Sequence, residues 1–320
     1  MSTLAHLEQA VSRLTPLSLA ETSWDNVGLL VEPPKPRSLA AGEKRRVYLC
    51  IDLTRPVVDE ALSDPSTTAI LTYHPPIFSG LKRLTLASAL SQSLLECVAE
   101  GVAVYTVHTA ADVAVNGTND WMATGLLTYA AAGAADVSCD DQRDLVRPGG
   151  LATRPRGVRA LKENSNPPEG HEGCGMGRIV NLGEVGLARD DMIKAVKQTL
   201  ALEHFQAAWA PSGPEHIRTI AICAGSGSSV LKGVEADLYL TGEMGHHDIL
   251  AANAKGIHVF CCNHTATERP WLSYFAPRLQ RELNRLASTT HESSAAAAGG
   301  ERSEYEVVVS RTDREPLEVV

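Results

Sequence analysis

The sequence has little of what marks a membrane, disulfide-bonded or nucleic-acid-binding protein. It contains no run of about 18 apolar residues, the length that a membrane-spanning helix needs. Its 7 cysteines are odd in number and form no Cys-x-x-Cys pair, so we expect buried free thiols in a reducing compartment. Basic residues are also few: 29 Lys and Arg against 38 Asp and Glu give a formal net charge of −9. This charge opposes direct binding of nucleic acid, whose phosphates need a cationic surface.

Residues 1–19 also lack the features of a targeting segment. They hold one arginine, Arg13, and no long apolar stretch, so no secretory signal is predicted. Glu8 and the shortage of arginine disfavour a mitochondrial presequence. We therefore expect a cytoplasmic protein without membrane contact, with a mitochondrial location as the less favoured alternative.

Strands and helices alternate along the chain, which is typical of the α/β class. In the first part, apolar strands are predicted at 46–53, 68–73 and 102–107, and helices at 3–14, 56–62 and 87–100. In the second part, strands are predicted at 178–182, 217–224, 236–241, 257–262 and 305–310, and helices at 190–200, 246–254 and 268–286. The length of 320 residues fits two domains or two halves of one domain.

Composition places the boundaries between these parts. Residues 131–173 are rich in Ala, Gly, Pro, Asp and Arg, which predicts a partly disordered connecting segment. We therefore divide the chain into a first α/β half at 1–130 and a second α/β half at 174–320. Residues 287–303, which include a run of alanines, are predicted to form a low-complexity loop inside the second half.

Histidine is what the sequence has in excess, with 11 histidines against 4 Phe and 4 Trp. His74, His108 and His264 each follow a predicted strand. In parallel α/β sheets, ligand sites lie just beyond the carboxyl ends of the strands, so we expect these side chains at such a site. Asp112 and Glu268 each come four residues after one of these histidines, and positions i and i+4 share a face of a helix.

A mixed set of imidazoles and carboxylates suits zinc, iron or manganese. A carboxylate can bridge two such ions, and a bridged pair lowers the pKa of a shared water and stabilises an oxyanion. One histidine at a strand end is more often an ordinary polar residue, and a His-x-x-x-Asp or His-x-x-x-Glu pattern is weak on its own. The coincidence of several such patterns, together with the adjacent His246 and His247, favours a metal site.

The other motifs indicate no second chemistry. Residues 225–229 are rich in Gly and Ser and follow a strand, which predicts either an anion-binding loop or a tight turn. The P-loop lysine is missing, which disfavours ATP hydrolysis. The glycines of residues 173–177 precede a strand and predict a turn, not a dinucleotide site. Cys261 and Cys262 lie in an apolar strand, which favours structural thiols over a nucleophile.

Several segments, in this order, resemble the dinuclear metal-centre family, also called the Nif-three-like family. They are residues 23–30 (SWDNVGLL), 73–78 (YHPPIF), 108–112 (HTAAD), 116–120 (NGTND), 175–178 (GMGR), 241–247 (TGEMGHH) and 264–268 (HTATE). The length of the chain and the Tyr-His-Pro-Pro form of the second segment are similar to the eukaryotic branch of this family. Bacterial members carry the name type 2 GTP cyclohydrolase I.

The resemblance implies a set of metal ligands. The family's usual His-His pair falls on Tyr73 and His74. The aspartate of its His-Thr-x-x-Asp segment falls on Asp112, and its C-terminal ligands fall on His264 and Glu268, with the glutamate bridging both ions. Tyr73 departs from the family's pattern, because a phenol is a weaker ligand than an imidazole. The departure implies either one tight and one loose metal, or a role for Tyr73 as a proton donor.

The resemblance also assigns His108, Glu243 and His246 to the pocket, as supporting or proton-transfer residues. It implies two similar, intertwined α/β/α halves with mixed, mostly parallel sheets and a metal site between them, assembled as a homohexamer. The implied cofactors are two divalent first-row ions, Zn, Fe or Mn.

Three functions are consistent with these features. The first hypothesis is a metal-dependent hydrolase of a small anionic or nucleotide-like substrate, of which GTP ring opening is a variant that rests on the family's name alone. The second is a metal-containing regulatory protein of the transcription co-regulator type, which binds a protein partner. The third is a metal chaperone without turnover. At the level of the sequence all three alternatives stay open.

Overall fold

The structure is a computed structural model that describes residues 2–40, 42–132, 157–292 and 304–318. The strands in these ranges are β1 (Gly28–Val31), β2 (Arg45–Cys50), β3 (Thr67–Thr72), β4 (Ala103–Thr106), β5 (Val158–Glu163), β6 (Gly175–Asn181), β7 (Leu187–Ala188), β8 (Gln206–Ala208), β9 (His216–Ile217), β10 (Thr219–Ser226), β11 (Leu238–Glu243), β12 (His258–Cys261) and β13 (Tyr305–Val309). The helices are α1 (Thr3–Leu14), α2 (Arg55–Leu62), α3 (Ala89–Ala99), α4 (His108–Val113), α5 (Thr118–Ala131), α6 (Arg189–Leu200), α7 (Ser228–Leu231), α8 (His246–Asn253) and α9 (Arg269–Glu292). Among these helices, none combines the length and the apolar character that crossing a membrane requires.

The chain forms two compact units that alternate along the sequence. Unit 1 comprises Met1–Ala111 and Leu272–Arg314, and unit 2 comprises Asp112–Trp271 and Glu315–Val320. The chain thus leaves each unit and later returns to it. These bounds differ from the division into 1–130 and 174–320, since α5 belongs to unit 2 and β13 to unit 1. The reason for the second difference is that β13 pairs in parallel with β2, far away in sequence.

Unit 1 contains a five-stranded sheet in the order β1-β4-β3-β2-β13. The neighbours from β13 to β4 are parallel, and β1 pairs antiparallel with β4. Every residue of β3 is buried, as expected of a central parallel strand. Helices α2 and α3 cover the sheet, because Val57, Val58 and Leu94 share an apolar cluster with Tyr48 and Ile70.

Unit 2 contains a six-stranded sheet in the order β5-β6-β10-β11-β12-β8, and β7 pairs separately with β9. Its central strands β10, β11 and β12 are parallel, whereas β6, β5 and β8 are added antiparallel at the two sides. Leu231 of α7 and Ala252 of α8 share an apolar cluster with Ala221, Tyr239 and Val259. Both units are therefore α/β with mixed sheets and parallel centres, which confirms the predicted fold class.

Two stretches that were expected to be irregular contain regular structure. Strand β5 lies within the predicted connecting segment 131–173 and pairs with β6, while residues 133–156 of that segment lie outside the described residues. Helix α9 extends through residues 287–292 of the predicted loop because Ala287 is still buried, at 2% exposure. Residues 293–303 and Cys139 also lie outside the described ranges. The other cysteines are free thiols, and all but Cys261 are buried.

Candidate metal centre

In unit 1, the parallel strands β2, β3 and β4 end at one edge and place Asp52, His74 and His108 beyond their carboxyl ends. Backbone hydrogen bonds join these ends. His74 N donates to Ile51 O at 3.0 Å, and His108 N donates to Tyr73 O at 2.9 Å. The two histidines predicted from the strand ends therefore lie side by side, with ring centroids 5.3 Å apart.

A carboxylate fixes the orientation of His74. Nδ1 of the imidazole lies 2.9 Å from Asp52 Oδ1. An ionised carboxylate only accepts hydrogen bonds, so Nδ1 donates the proton and the lone pair of the neutral ring is on Nε2. Proteins commonly orient metal-binding histidines by this pairing. The sequence patterns single out His74 and not Asp52, although Asp52 follows β2 as His74 follows β3.

His108 has the same arrangement with a different carboxylate. Its Nδ1 lies 2.6 Å from Asp25 Oδ1, and Asp25 Oδ2 accepts hydrogen bonds from Thr109 N, at 3.2 Å, and from the Thr109 hydroxyl. Burial raises the pKa of Asp25, but the hydrogen bonds from His108, Thr109 and the backbone of Asn26 outweigh burial and hold this pKa below its ordinary value. Asp25, which belongs to the segment 23–30, is therefore a fixed, ionised acceptor. No sequence pattern assigned it this role.

Tyr73 borders both histidines from a buried position. Its side chain is 1% exposed. The ring is edge-on to the two imidazoles, with its centroid 5.5 Å from that of His74 and 6.2 Å from that of His108. The residue that departs from the family's pattern is thus part of the wall behind the two histidines of unit 1.

In unit 2, His264 lies between two carboxylates. Its Nδ1 is 3.1 Å from Glu243 Oε2, and its Nε2 is 3.5 Å from Glu268 Oε1. The spacing of residues 264 and 268 predicted a shared face of an α-helix, but the segment between them is the short 3₁₀ turn Thr265–Thr267. The two side chains approach each other across this turn. The side chain of Glu243 is 52% exposed and that of Glu268 is 3% exposed. Glu243 therefore holds the ring from the solvent side, and the buried Glu268 lies at the nitrogen suited to a metal.

The charges of Asp112 and Glu268 both affect the pKa of the buried thiol of Cys223. Burial, and then the charges of Asp112 and Glu268, raise the pKa of Cys223. The thiol therefore stays protonated. Asn119 holds the end of α4 against β10, because its Nδ2 donates to Asp112 O at 3.1 Å and its Oδ1 accepts from Ala224 N at 2.9 Å.

Gly225 in β10 leaves space beside this group of residues. Its φ is +62°, in the left-handed region that favours glycine. A Cβ atom at this position would lie 2.6 Å from Glu268 Oε1 and 3.0 Å from His264 Nε2. The missing side chain thus keeps open the space next to a carboxylate oxygen and an imidazole nitrogen.

Residues 225–229 were predicted to form either an anion-binding loop or a tight turn, and their backbone amides distinguish these two possibilities. Gly225 N donates to Thr267 Oγ1 at 2.8 Å, and Gly227 N donates to Glu243 O at 3.2 Å. These amides are used within the protein, and α7 is only one turn long. The structure therefore favours the tight turn over the anion-binding loop.

Two further residues of the matched segments have other positions. His246 is exposed at the first position of α8, and its ring centroid is 5.4 Å from that of His247. Arg178 is fully buried and donates to Asp120 and to the carbonyl oxygens of Gly175 and Gly177, so its role is structural. The structure thus places His74 next to His108 in unit 1 and His264 next to Glu268 in unit 2.

Comparisons with known proteins identify the family. The family model described as Duf34/NIF3 (NGG1p interacting factor 3) matches residues 2–297. The protein NIF3 homolog of Schizosaccharomyces pombe is 37% identical over 312 residues, which cover 97% of this chain and 96% of that protein. NGG1-interacting factor 3 of Saccharomyces cerevisiae is 31% identical over 325 residues, which cover 99% of this chain and 96% of that protein.

Solved structures agree with the fold. The crystal structure of Staphylococcus aureus hypothetical protein SA1388 matches with a TM-score of 0.69 at 20% identity, covering 99% of each chain. The resemblance to the Nif-three-like family that the motifs indicated is therefore confirmed. The chain belongs to the Duf34/NIF3 family.

Proposed function

We propose that the protein holds two divalent first-row metal ions and uses them to hydrolyse a small anionic or nucleotide-like substrate. The proposed ligands are His74, Asp112, His264 and Glu268. The observation that carries this proposal is that both histidines have Nδ1 against a carboxylate, at 2.9 Å and 3.1 Å. This pairing directs the opposite ring nitrogen, Nε2, towards a ligand.

The contact between His264 and Glu268 supports a cation in unit 2. With Nδ1 donating to Glu243, the neutral ring presents the Nε2 lone pair to Glu268 Oε1 at 3.5 Å. Two acceptor atoms at this separation repel each other unless a proton or a cation lies between them. The open space at Gly225, next to the same two atoms, favours the cation. Imidazole and carboxylate donors are also the set that zinc, iron and manganese prefer.

The chemistry that such ions supply is polarisation of a substrate oxygen and a lowered pKa of water. The protein's own side chains orient the metal ligands and transfer protons. Glu243 keeps the His264 ring in place, and its exposure of 52% lets it exchange protons with solvent. His246, exposed at the start of α8, is proposed for the same task. Tyr73 is proposed as a proton donor, and its burial restricts transfer to a neighbouring group.

A second candidate function is that of an interaction protein whose metals serve structure or sensing. The observation in its favour is that the Saccharomyces cerevisiae relative is named NGG1-interacting factor 3. The net charge of −9 fits a protein partner better than nucleic acid. A metal chaperone is the third alternative. For all three, we propose a homohexamer in the cytoplasm.

Metal content tests the ligand assignment. We expect purified wild-type protein to contain up to two equivalents of first-row metal, and we expect His74→Ala, Asp112→Ala and Glu268→Ala to lose at least one, because each removes a ligand. Elemental analysis after dialysis measures this. His204→Ala is the matched control, since His204 is exposed and lies outside the matched segments, and it should keep the wild-type content. Full metal content in all three ligand variants would refute the proposal.

Turnover separates the three functions. Metal-loaded protein is incubated with a panel of phosphoesters and nucleotides that includes GTP, and products are followed by chromatography. Hydrolysis that disappears in Asp112→Ala supports the hydrolase. Bound metal without turnover, together with a stable complex with a protein partner, supports the interaction protein. Rapid transfer of metal to an apo-protein supports the chaperone. Light scattering of the same samples tests the hexamer.

A further inference from the structure

We infer that His108 binds metal through Nε2 beside His74 in unit 1, with Asp25 as the carboxylate that positions it. This inference rests on the proposed metal function and adds an imidazole to the ligands proposed in unit 1. The resemblance placed His108 only among supporting or proton-transfer residues. The contacts in unit 1 assign it a more direct role.

The first argument is that His108 repeats the arrangement of the two proposed histidine ligands. Each of the three rings follows a strand and has Nδ1 against a carboxylate oxygen. The distances are 2.6 Å for His108, 2.9 Å for His74 and 3.1 Å for His264. The carboxylate selects the tautomer whose lone pair is on Nε2, which is the form that binds a metal. His108 has the shortest of the three contacts, so its ring is the most firmly oriented for metal binding.

The second argument is the distance between the two rings of unit 1. With a metal–nitrogen distance of about 2.1 Å, two imidazoles on one ion have centroids roughly 4.6 to 5.3 Å apart for ligand angles of about 90 to 109°. The centroids of His74 and His108 are 5.3 Å apart, and their planes are inclined by 84°. The two rings thus already have the separation of a pair that shares one ion.

The third argument is how much of the local structure serves to hold His108. Its φ is +27°, an unfavourable conformation for a residue with a side chain. The half-exposed rings of Trp24 and Phe78 are edge-on to it, with centroids 5.9 Å and 6.4 Å from the imidazole. Asp25, which holds Nδ1, has a fully buried side chain. The strained backbone and the buried carboxylate together indicate a histidine fixed for a ligand.

Exposure separates His108 from its neighbour Tyr73. The side chain of His108 is 15% exposed and that of His74 is 20% exposed, so both rings reach the surface of unit 1. Tyr73 is 1% exposed. The residue in the family's second ligand position is therefore a buried phenol, a weaker ligand than an imidazole, and His108 can supply the additional donor.

Cobalt binding tests the inference. Apo-protein is titrated with Co²⁺, and affinity and visible absorption are recorded for wild type, His108→Ala, Asp25→Asn and His204→Ala. We expect His108→Ala to bind Co²⁺ at least tenfold more weakly with altered visible bands, and Asp25→Asn to lose about 10- to 100-fold in affinity. His204→Ala should match wild type. Thermal unfolding of the apo-proteins shows whether each variant is folded.

A footprint on wild-type protein covers the case in which a variant does not fold. Diethyl pyrocarbonate modifies neutral imidazoles, and mass spectrometry reports each histidine with and without Co²⁺. We expect Co²⁺ to protect His108, His74 and His264 and to leave His204 unchanged. If His74 and His264 are protected while His108 is modified equally with and without Co²⁺, the inference is wrong and the proposed metal site stands. If none of the three is protected, both fail.

Discussion

His74 and His264 belong to different units and nevertheless have the same local surroundings. Each follows the end of a parallel strand, and each has Nδ1 against a carboxylate, Asp52 in one unit and Glu243 in the other. At the scale of the residue, the position after the strand supplies the location and the carboxylate supplies the direction of the ring. A histidine indicates a metal site only when its position after a strand and the direction of its ring are both known.

The first prediction concerns Gly225. Gly225→Ala should weaken Co²⁺ binding at least tenfold, because the new Cβ would lie 2.6 Å from Glu268 Oε1 and 3.0 Å from His264 Nε2. It should also lower the free energy of unfolding by about 1 kcal/mol, since its φ is +62°. Co²⁺ titration and urea unfolding measure the two effects.

Gly233→Ala is the matched control for this prediction. Gly233 also has a positive φ, of +81°, but a Cβ atom there would meet nothing within 4 Å. Its substitution should therefore cost a similar free energy of unfolding and leave Co²⁺ affinity unchanged. Equal losses of Co²⁺ affinity in the two variants would show that backbone strain, and not the space beside His264, is responsible.

The strand-end pattern located three of the candidate site residues and missed Asp52 and Asp25, the carboxylates that orient two of them. His74, His108 and His264 could be found because a strand end and a chemical residue type coincide there. Asp25 could not be found in the same way, because it precedes β1 and reaches His108 across 83 positions of sequence. Hydrogen bonds between residues so far apart leave no periodic signal in the chain.

At the scale of the element, apolar pattern decided which segments could be predicted. The central strands β2, β3 and β4 were predicted because each contains a run of buried apolar residues. Helix α5 was not predicted, because nine of its 14 residues are buried and no polar face marks the helical period. Strand β5 was assigned to a linker because most of its residues are at least partly exposed. These elements owe their form to packing partners that sequence periodicity does not show.

Glu60 shows how one side chain joins two elements of unit 1. From α2, it accepts hydrogen bonds from the Ser310 hydroxyl at 2.5 Å, from Arg311 N at 3.0 Å and from the Thr312 hydroxyl at 2.8 Å. Burial raises the pKa of Glu60, but these hydrogen bonds outweigh burial and hold the pKa below its ordinary value. The ionised carboxylate therefore fastens α2 to the segment that follows β13.

The second prediction follows from this lowered pKa. The stabilisation by Glu60 is complete above the ordinary glutamate pKa and is lost as the pH falls through the lower pKa of the folded state. Glu60→Gln should therefore lower the free energy of unfolding by about 0.5–1 kcal/mol near neutral pH, because solvent screens this partly exposed carboxylate. The difference from wild type should shrink as the pH falls below the ordinary glutamate pKa. Urea unfolding across this pH range measures it.

Asp59→Asn provides the control on the same helix. Asp59 pairs with Arg55 at 2.7 Å, and its side chain is 55% exposed, so its loss should change stability little at any pH. A constant difference between Glu60→Gln and wild type from neutral to acid pH would contradict the assigned role of the Glu60 charge.

At the scale of the whole molecule, unit 1 depends on a segment from near the end of the chain. Strand β13 pairs in parallel with β2, from Tyr305 opposite Arg45 to Val309 opposite Leu49. The hydroxyl of Tyr305, a fully buried residue, lies 2.7 Å from His6 Nδ1. Contacts over such separations require that nearly the whole chain be present before unit 1 is complete. His74 and His108 are therefore positioned by a sheet whose last strand follows all of the strands of unit 2.

The third prediction tests this dependence. A chain that ends after residue 303 lacks β13, exposes the edge of β2 and removes the partner of His6, so unit 1 should unfold at a markedly lower urea concentration. Amide exchange in β2 should become fast, and Co²⁺ binding through His74 should be lost. A chain that ends after Glu315 is the control, because it keeps β13 and the contact of Glu315 with Thr265 at 2.7 Å. If the shorter chain kept slow exchange in β2 and the wild-type urea midpoint, β13 would be an accessory strand, and unit 1 would be complete without it.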